Sequence, residues 1–396
     1  MSILSWFIAV VALYWLPWII YARWLHPYSK YPGPFFASIS RLWYMREIVA
    51  ARDHQRQTQL HRRYGPIVRI APDEVVIADP SAIKTIYGFK PGFPKSDFFQ
   101  AFQPPFPRFP ELFTAKDPEY HAARRRIVNH IYTMSNVVRS EQRIDACTDT
   151  FFQRMREVAA EGEATNIGQW VRWYSFDVIG ELFFSQHFGF LEKKADFNGW
   201  IRAIDDLGIG LALLAVAPSY ARPVMWALAA CIPSVARSLS AFQMFEAATE
   251  WWMTKKDAAA VDEERKDMFA GIVKIMKEKG DEVDYGPIEV KAEIHTALEI
   301  FGHDADEYRP ERWLERDAAR MDKHILQIAL CQIYKFVPDL LRSFDLELAS
   351  PMECTVTSNW LNKMSKIPVR VSPRKPLAGV NGRSQAGRAM PGDIML

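Results

Sequence analysis

Cysteine is scarce in this chain: four residues, Cys147, Cys231, Cys331 and Cys354, spread through 396 positions. No two form a C-x-x-C pair and none sits in a Cys/His cluster with zinc spacing, which excludes a zinc module. Scattered free thiols fit a reduced, cytosol-facing chain. Net charge is also small, +2, and gives no whole-chain ground for binding nucleic acid. Apolar residues are not lacking: 49% hydrophobic against 24% charged excludes general disorder. At this length the chain can build one large or two ordinary domains with ample core. The 13% aromatic share suits an aromatic core first, and an apolar pocket or membrane contact second.

Charge is absent altogether from residues 1–22, MSILSWFIAVVALYWLPWIIYA, and Arg23, Lys30 and Arg41 follow. A helix needs about 20 apolar residues to cross the hydrocarbon layer. Trp15, Trp18 and Trp24 fit an interfacial belt, and the basic residues after the run place the body on the cytoplasmic side. Pro17 kinks such a span without forbidding it. The run is long and lacks a small-x-small cleavage site, which favours an uncleaved transmembrane anchor over a signal peptide. Residues 1–26 are therefore expected to form anchor and flank. HPYSKYPGPFF then supplies a stiff, proline-rich connector.

In the body, DHQRQTQLHRR (residues 53–63) reads as a helix stopped at Tyr64-Gly65-Pro66, and IVRIAPDEVVIADP as a β-hairpin. A short helix should start at Pro80 and run through Ile83 and Ile86. Phe89 to Pro110 is too rich in phenylalanine and proline for regular structure. In DPEYHAARRRIVNHIYTMSNVV, residues 117–138, His121 and Arg125 stand four apart on one helical face. Residues alone make this a solvated basic face built from Arg124, Arg125 and Arg126. Trp173 to Glu192 predicts a long amphipathic helix with Phe176, Ile179, Phe183 and Phe184 in the core. Residues 207–233 form a second apolar tract, cut by Pro218, Arg222 and Pro223 into pieces too short to span a bilayer. That tract is either a monotopic patch on a membrane surface or buried core. Residues 254–284 read as a charged, solvated helix, and residues 375–396 as a disordered tail.

Four stretches, YGPIVRIAPDEV, WYSFDVIGELFFSQHFGFLE, GHDADEYRPERW and ILQIALCQIYKFVPDLLRSFDLEL, resemble the fungal, membrane-bound cytochrome P-450 family of secondary metabolism. The likeness extends over about residues 1–294 and 298–374. It implies a mainly α fold with a small β-sheet over residues 27–374, held at the endoplasmic reticulum membrane. It also implies haem as cofactor, an apolar small molecule as substrate and a membrane-bound NADPH-cytochrome reductase as electron donor. Arg125 would grip a haem propionate through charge-assisted hydrogen bonds, with His121 at the family's aromatic position. Pro310, Glu311 and Arg312 match a Pro-Glu-Arg segment in which the arginine is structural. The Phe89–Pro110 stretch would be either a loop near substrate or a plain apolar surface loop.

What that resemblance requires and the sequence lacks sits at two joins. Met321, Asp322, Lys323 and His324 run straight into Ile325, where the family carries the loop with the cysteine that ligates haem iron. Near residues 295–298 the segment that relays protons to bound oxygen is missing, and no Glu is followed three residues later by Arg. Cys331 falls in the apolar helix pattern of Ile325, Ile328, Leu330 and Ile333, where cysteine acts as a small hydrophobe. His324 is a lone histidine at a helix start. The expected fold is thus a truncated cytochrome P-450-like fold without catalytic residues or a metal ligand. Three readings stay open: an inactive relative, an active enzyme whose full product contains the missing segments, or a non-catalytic membrane protein binding a partner or apolar ligand. The hairpin at 66–78, parted from strands the family places in the lost segment, is expected to be marginal and aggregation-prone.

Overall fold

A computed structural model describes residues 3–87, 93–103, 112–196, 199–233, 235–237, 267–293, 336–350, 355–358 and 362–374. Its elements are mainly helical with three small antiparallel sheets, as the sequence led us to expect. Both joins, and His324, Cys331, Cys354, Pro310, Glu311, Arg312 and the tail, lie outside the described residues.

Helix α1 (Ile3–Ile20) carries the uncharged run. Among the described residues no helix is long and apolar enough to cross a membrane, so the expected transmembrane anchor is not seen. The far end of α1 is tied to the body, since Trp18 Nε1 donates to the carbonyl of Ile39 at 2.8 Å. A π-helical turn, Tyr21–Leu25, follows and buries Ala22 completely.

Helices α2 (Phe35–Ile39), α3 (Leu42–Val49) and α4 (Asp53–Tyr64) lead to the hairpin of β1 (Ile67–Ala71) and β2 (Glu74–Ile77). Its register pairs Ile67 with Ile77 and Val68 with Val76. Among the described residues the two strands have no further partner in their sheet, yet the hairpin does not stand alone. Leu60, Val68 and Ile70 form a small core covered by Trp43, Tyr44 and Tyr64, which supplies the apolar backing that a bare hairpin lacks. The short helix α5 (Ala82–Ile86) comes next.

The main core is built on α8 (Glu141–Glu161) and α9 (Ile167–Phe184), preceded by α6 (Pro118–Val128) and α7 (Met134–Arg139). Along α8 the buried residues Ile144, Cys147, Phe151, Met155 and Val158 recur every three or four positions, the spacing of one helical face. Phe176, Ile179, Phe183 and Phe184 of α9 are buried as expected. Gly180 is required because a Cβ would meet the carbonyl oxygen of Gln186 at 2.6 Å. Residues 336–343 form a helix whose Phe336 stacks on Tyr174, ring centroids 4.5 Å apart. Strand β3 (Ala164–Asn166) pairs with β7 (Pro368–Pro373), which pairs on its other edge with β4 (Phe344–Leu348). Strands β5 (Thr355–Ser358) and β6 (Asn362–Ser365) form a separate hairpin.

Asp177 folds the chain back after α9. Its buried carboxylate accepts the backbone N–H groups of Gly189, Phe190 and Leu191 at 2.7, 3.1 and 2.9 Å, seating α10 (Phe190–Lys193) against α9. The second apolar tract divides between the two readings left open for it. Helix α11 (Trp200–Val216) buries Leu207, Ala212, Leu214 and Val216, whereas on α12 (Arg222–Ala230) Val224 and Leu228 are exposed, as are Tyr220 and Ile232 beside it. Helix α13 (Met268–Val283) corrects the expectation of a wholly solvated charged helix: it buries Met268, Phe269, Ile272 and Val273 in the main core. The charges had masked an apolar stripe at helical spacing.

Candidate functional site

Asp117 starts α6 by accepting the backbone N–H of Glu119 at 2.9 Å, with Pro118 in the first turn. This is an ordinary N-cap with proline where no N–H is needed. The helix then sets His121 and Arg125 one turn apart on a shared face, both half-buried. Of the three consecutive arginines, the one turned inward is Arg124. Arg124 is buried, donates to the backbone carbonyl and, at 3.1 Å, to the carboxylate of Asp284, and lies 3.6 Å from Glu289. Its guanidinium also sits 5.2 Å from the centre of the Tyr120 ring, within cation–π range.

Beyond α6 the polar cluster continues. The Tyr132 hydroxyl donates to Glu293 Oε1 at 3.1 Å, and both residues are buried. Burial, and then the Glu293 charge, push the Tyr132 phenol far above its ordinary value. Tyr285 is raised by burial and by Glu293 and Glu289, and its hydroxyl has no hydrogen-bond partner among the described residues. Glu289 and Glu293 belong to the helical residues 287–293, so α6 and its following loop are stapled to this helix through Arg124 and Tyr132. Sequence reading missed that role because the three consecutive arginines look alike until packing turns one inward.

An open groove of about 640 Å³ runs between α6 and α13. It lies on the α6 face of Ala123, Arg126, Ile127 and His130, opposite His121 and Arg125 on the helical wheel.

Haem held by a thiolate needs a deprotonated cysteine open to the iron, and the cysteines of the described residues do not fit. Cys147 is buried in the main core, and burial, reinforced by Glu181 and Asp177, drives its thiol well above the ordinary cysteine value. Cys231 is exposed at the end of α12, and its thiol leans on the carbonyl of Ala227 at 3.5 Å. Among the described residues no three His, Cys, Asp or Glu converge on a point that could hold a metal ion.

The family model for cytochrome P450 matches residues 31–298. The chain is 29% identical to the cytochrome P450 monooxygenase gsfF of Penicillium aethiopicum, in an alignment covering 94% of this chain and 99% of that protein. That alignment is 497 residues long, more than this chain's 396, so the relative contains residues with no counterpart here. Pisatin demethylase of Fusarium vanettenii is 32% identical over 54% of this chain and 41% of its own length. A cytochrome P450 monooxygenase of Emericella nidulans is 35% identical over 43% of this chain and 36% of its own length. The chain thus spans nearly all of the first relative and less than half of the other two.

Proposed function

We propose that this chain, which belongs to the cytochrome P450 family, is a member that has lost its haem-thiolate centre and with it monooxygenase activity. One observation carries the reading: His324 is followed directly by Ile325, with no cysteine loop ahead of the apolar helix pattern. The surplus length of the aligned relative supports it, as does the poor fit of Cys147 and Cys231 to iron ligation. Arg125 and Arg312 then remain as parts of a haem-binding frame that has no ligand to complete it. The test is the carbon monoxide difference spectrum of the purified full chain supplied with haem and reductant. No thiolate-type band and no turnover are expected, and a thiolate band removed by Cys331→Ala would overturn the reading.

A second reading is favoured by the sharpness of the two joins, which have good family likeness on both sides. Lost or skipped exons leave such edges, whereas gradual decay blurs them. On this reading the full product is an active monooxygenase acting on an apolar small molecule, with electrons from a membrane-bound NADPH reductase. Sequencing the transcript across residues 295–298 and 323–326 separates the two.

Residues 1–26 are the segment that would tether the protein to the endoplasmic reticulum membrane, with the body in the cytosol. Trp24, Leu25, Phe36 and Leu42 are exposed after α1, and Tyr220, Val224 and Leu228 are exposed around α12. Such side chains gain by entering the apolar edge of a bilayer. If a reporter fused to residues 1–30 stays soluble, or is cleaved and secreted, the tether is elsewhere.

A further inference from the structure

The groove between α6 and α13 has a floor and a rim of different chemistry. Its floor is made by Ile127, Ile275 and Val283, partly buried residues that pack on the main core from outside, so the groove is an uncovered edge of that core. The rim carries Arg126, His130, Lys274 and Lys279 against the single carboxylate of Glu278. Lys274 lies 3.6 Å from Glu278, whereas no ion-pair partner among the described residues engages Arg126 or Lys279. An apolar floor alone would admit any apolar molecule, and exposed cations alone would hold any anion loosely. Together they select a molecule with an apolar body and one compact anionic head, and the volume falls in the range of small-molecule sites.

We infer that this groove is a binding site for a free amphiphilic carboxylate, its apolar body on Ile127, Ile275 and Val283 and its head between Arg126 and Lys279. This goes beyond the proposed loss of haem chemistry and does not rest on it, since none of these residues belongs to the haem frame. Closing the groove would complete the core, so occupancy should also stabilise the fold by mass action.

Calorimetric titration of the full chain in phosphatidylcholine nanodiscs, corrected for empty discs, tests it. The probe is 2-naphthoate, with 2-naphthylmethanol as the uncharged control and acetate as the head alone. We expect naphthoate to bind best, and Arg126→Gln with Lys279→Gln to lower its affinity by at least about tenfold, the effect of even one lost charge-assisted contact, and to erase its preference over naphthylmethanol. Ala123→Trp, which fills the groove from an exposed helix position, should weaken both naphthyl probes, and far-UV dichroism should show all variants folded. Equal naphthoate binding by parent and double variant would overturn the inference, and so would acetate binding as tightly as naphthoate. Loss of naphthoate binding in phosphatidylserine discs, or its displacement by poly-glutamate, would assign the rim to a lipid headgroup or an acidic protein surface and equally reject the proposal.

Discussion

Arg69 Nη1 donates to the backbone carbonyl of Ala22 across 2.7 Å, joining strand β1 to the π-helical turn after α1. Arg69 is 1% exposed, and its other guanidinium nitrogens donate to the carbonyls of Ala71 and Pro72. Its backbone N–H donates to Pro32 at 2.8 Å, and Gly33 is held so close that a Cβ there would overlap the Arg69 carbonyl oxygen. One residue, through its side chain and its backbone, thus holds together the N-terminal segment, the proline connector and the hairpin.

Replacing Arg69 with Leu should therefore act locally before it acts globally. Each buried carbonyl left without a donor costs about 1–3 kcal/mol. Limited trypsin digestion of the Arg69→Leu protein is expected to cleave at Arg23 and Lys30 well before the core opens. A digestion pattern unchanged from the parent would show that the guanidinium does not hold this segment.

Asp177 makes a second separable contribution. Its carboxylate serves three backbone donors at the start of α10, and Asp177→Ala would leave all three buried N–H groups unpaired. Hydrogen bonds to a charged group contribute about 1.5–3 kcal/mol each in favourable cases, and such losses are not additive. The expected result is a fall of about 3 kcal/mol or more in urea-unfolding stability, with Asp177→Asn intermediate. Equal stability of parent and Asp177→Ala would contradict the role.

Much of this architecture could be read from the residues. The 3.6-residue spacing of Phe176, Ile179 and Phe183 placed α9, and the alternation around Ala71-Pro72-Asp73 placed the hairpin. What could not be read was selection among equals. Arg124, Arg125 and Arg126 are chemically identical, and only the packing of α6 against Asp284 and Glu289 turns Arg124 inward. The apolar tract at 207–233 likewise has uniform composition, yet α11 is half core and α12 carries an exposed apolar row. Burial is decided by what packs opposite, and a single sequence does not state that.

Cys231 offers a direct probe of whether α12 meets a bilayer. It is exposed beside Leu228 and Ile232, whereas Cys147 is buried. In microsomes carrying the full chain, a water-soluble maleimide is expected to label Cys231 slowly, and Leu228→Asp should restore fast labelling by lifting the helix off the surface. Peptide mapping keeps this site distinct from Cys331 and Cys354. Fast labelling of the parent in membranes would remove α12 from the contact.

Asp53 gives a pH dependence of definite sign. It is 7% exposed at the first turn of α4 and accepts from Gln57 Nε2 at 2.6 Å. Burial raises its carboxyl to about 6, opposed by the Gln57 hydrogen bond and assisted by Glu47. Between its ordinary value near 4 and about 6, the folded state holds this proton more tightly than the unfolded chain does, so raising the pH through that window costs stability. A shift of about two units corresponds to about 3 kcal/mol at most. Asp53→Asn keeps an acceptor for Gln57 without the ionisation. Urea midpoints are therefore expected to fall for the parent from pH 4 to pH 7 relative to the variant, which should be the more stable protein at pH 7 and lose its advantage at pH 4. If the two proteins keep the same difference in midpoint across the range, the Asp53 carboxyl does not titrate in this window.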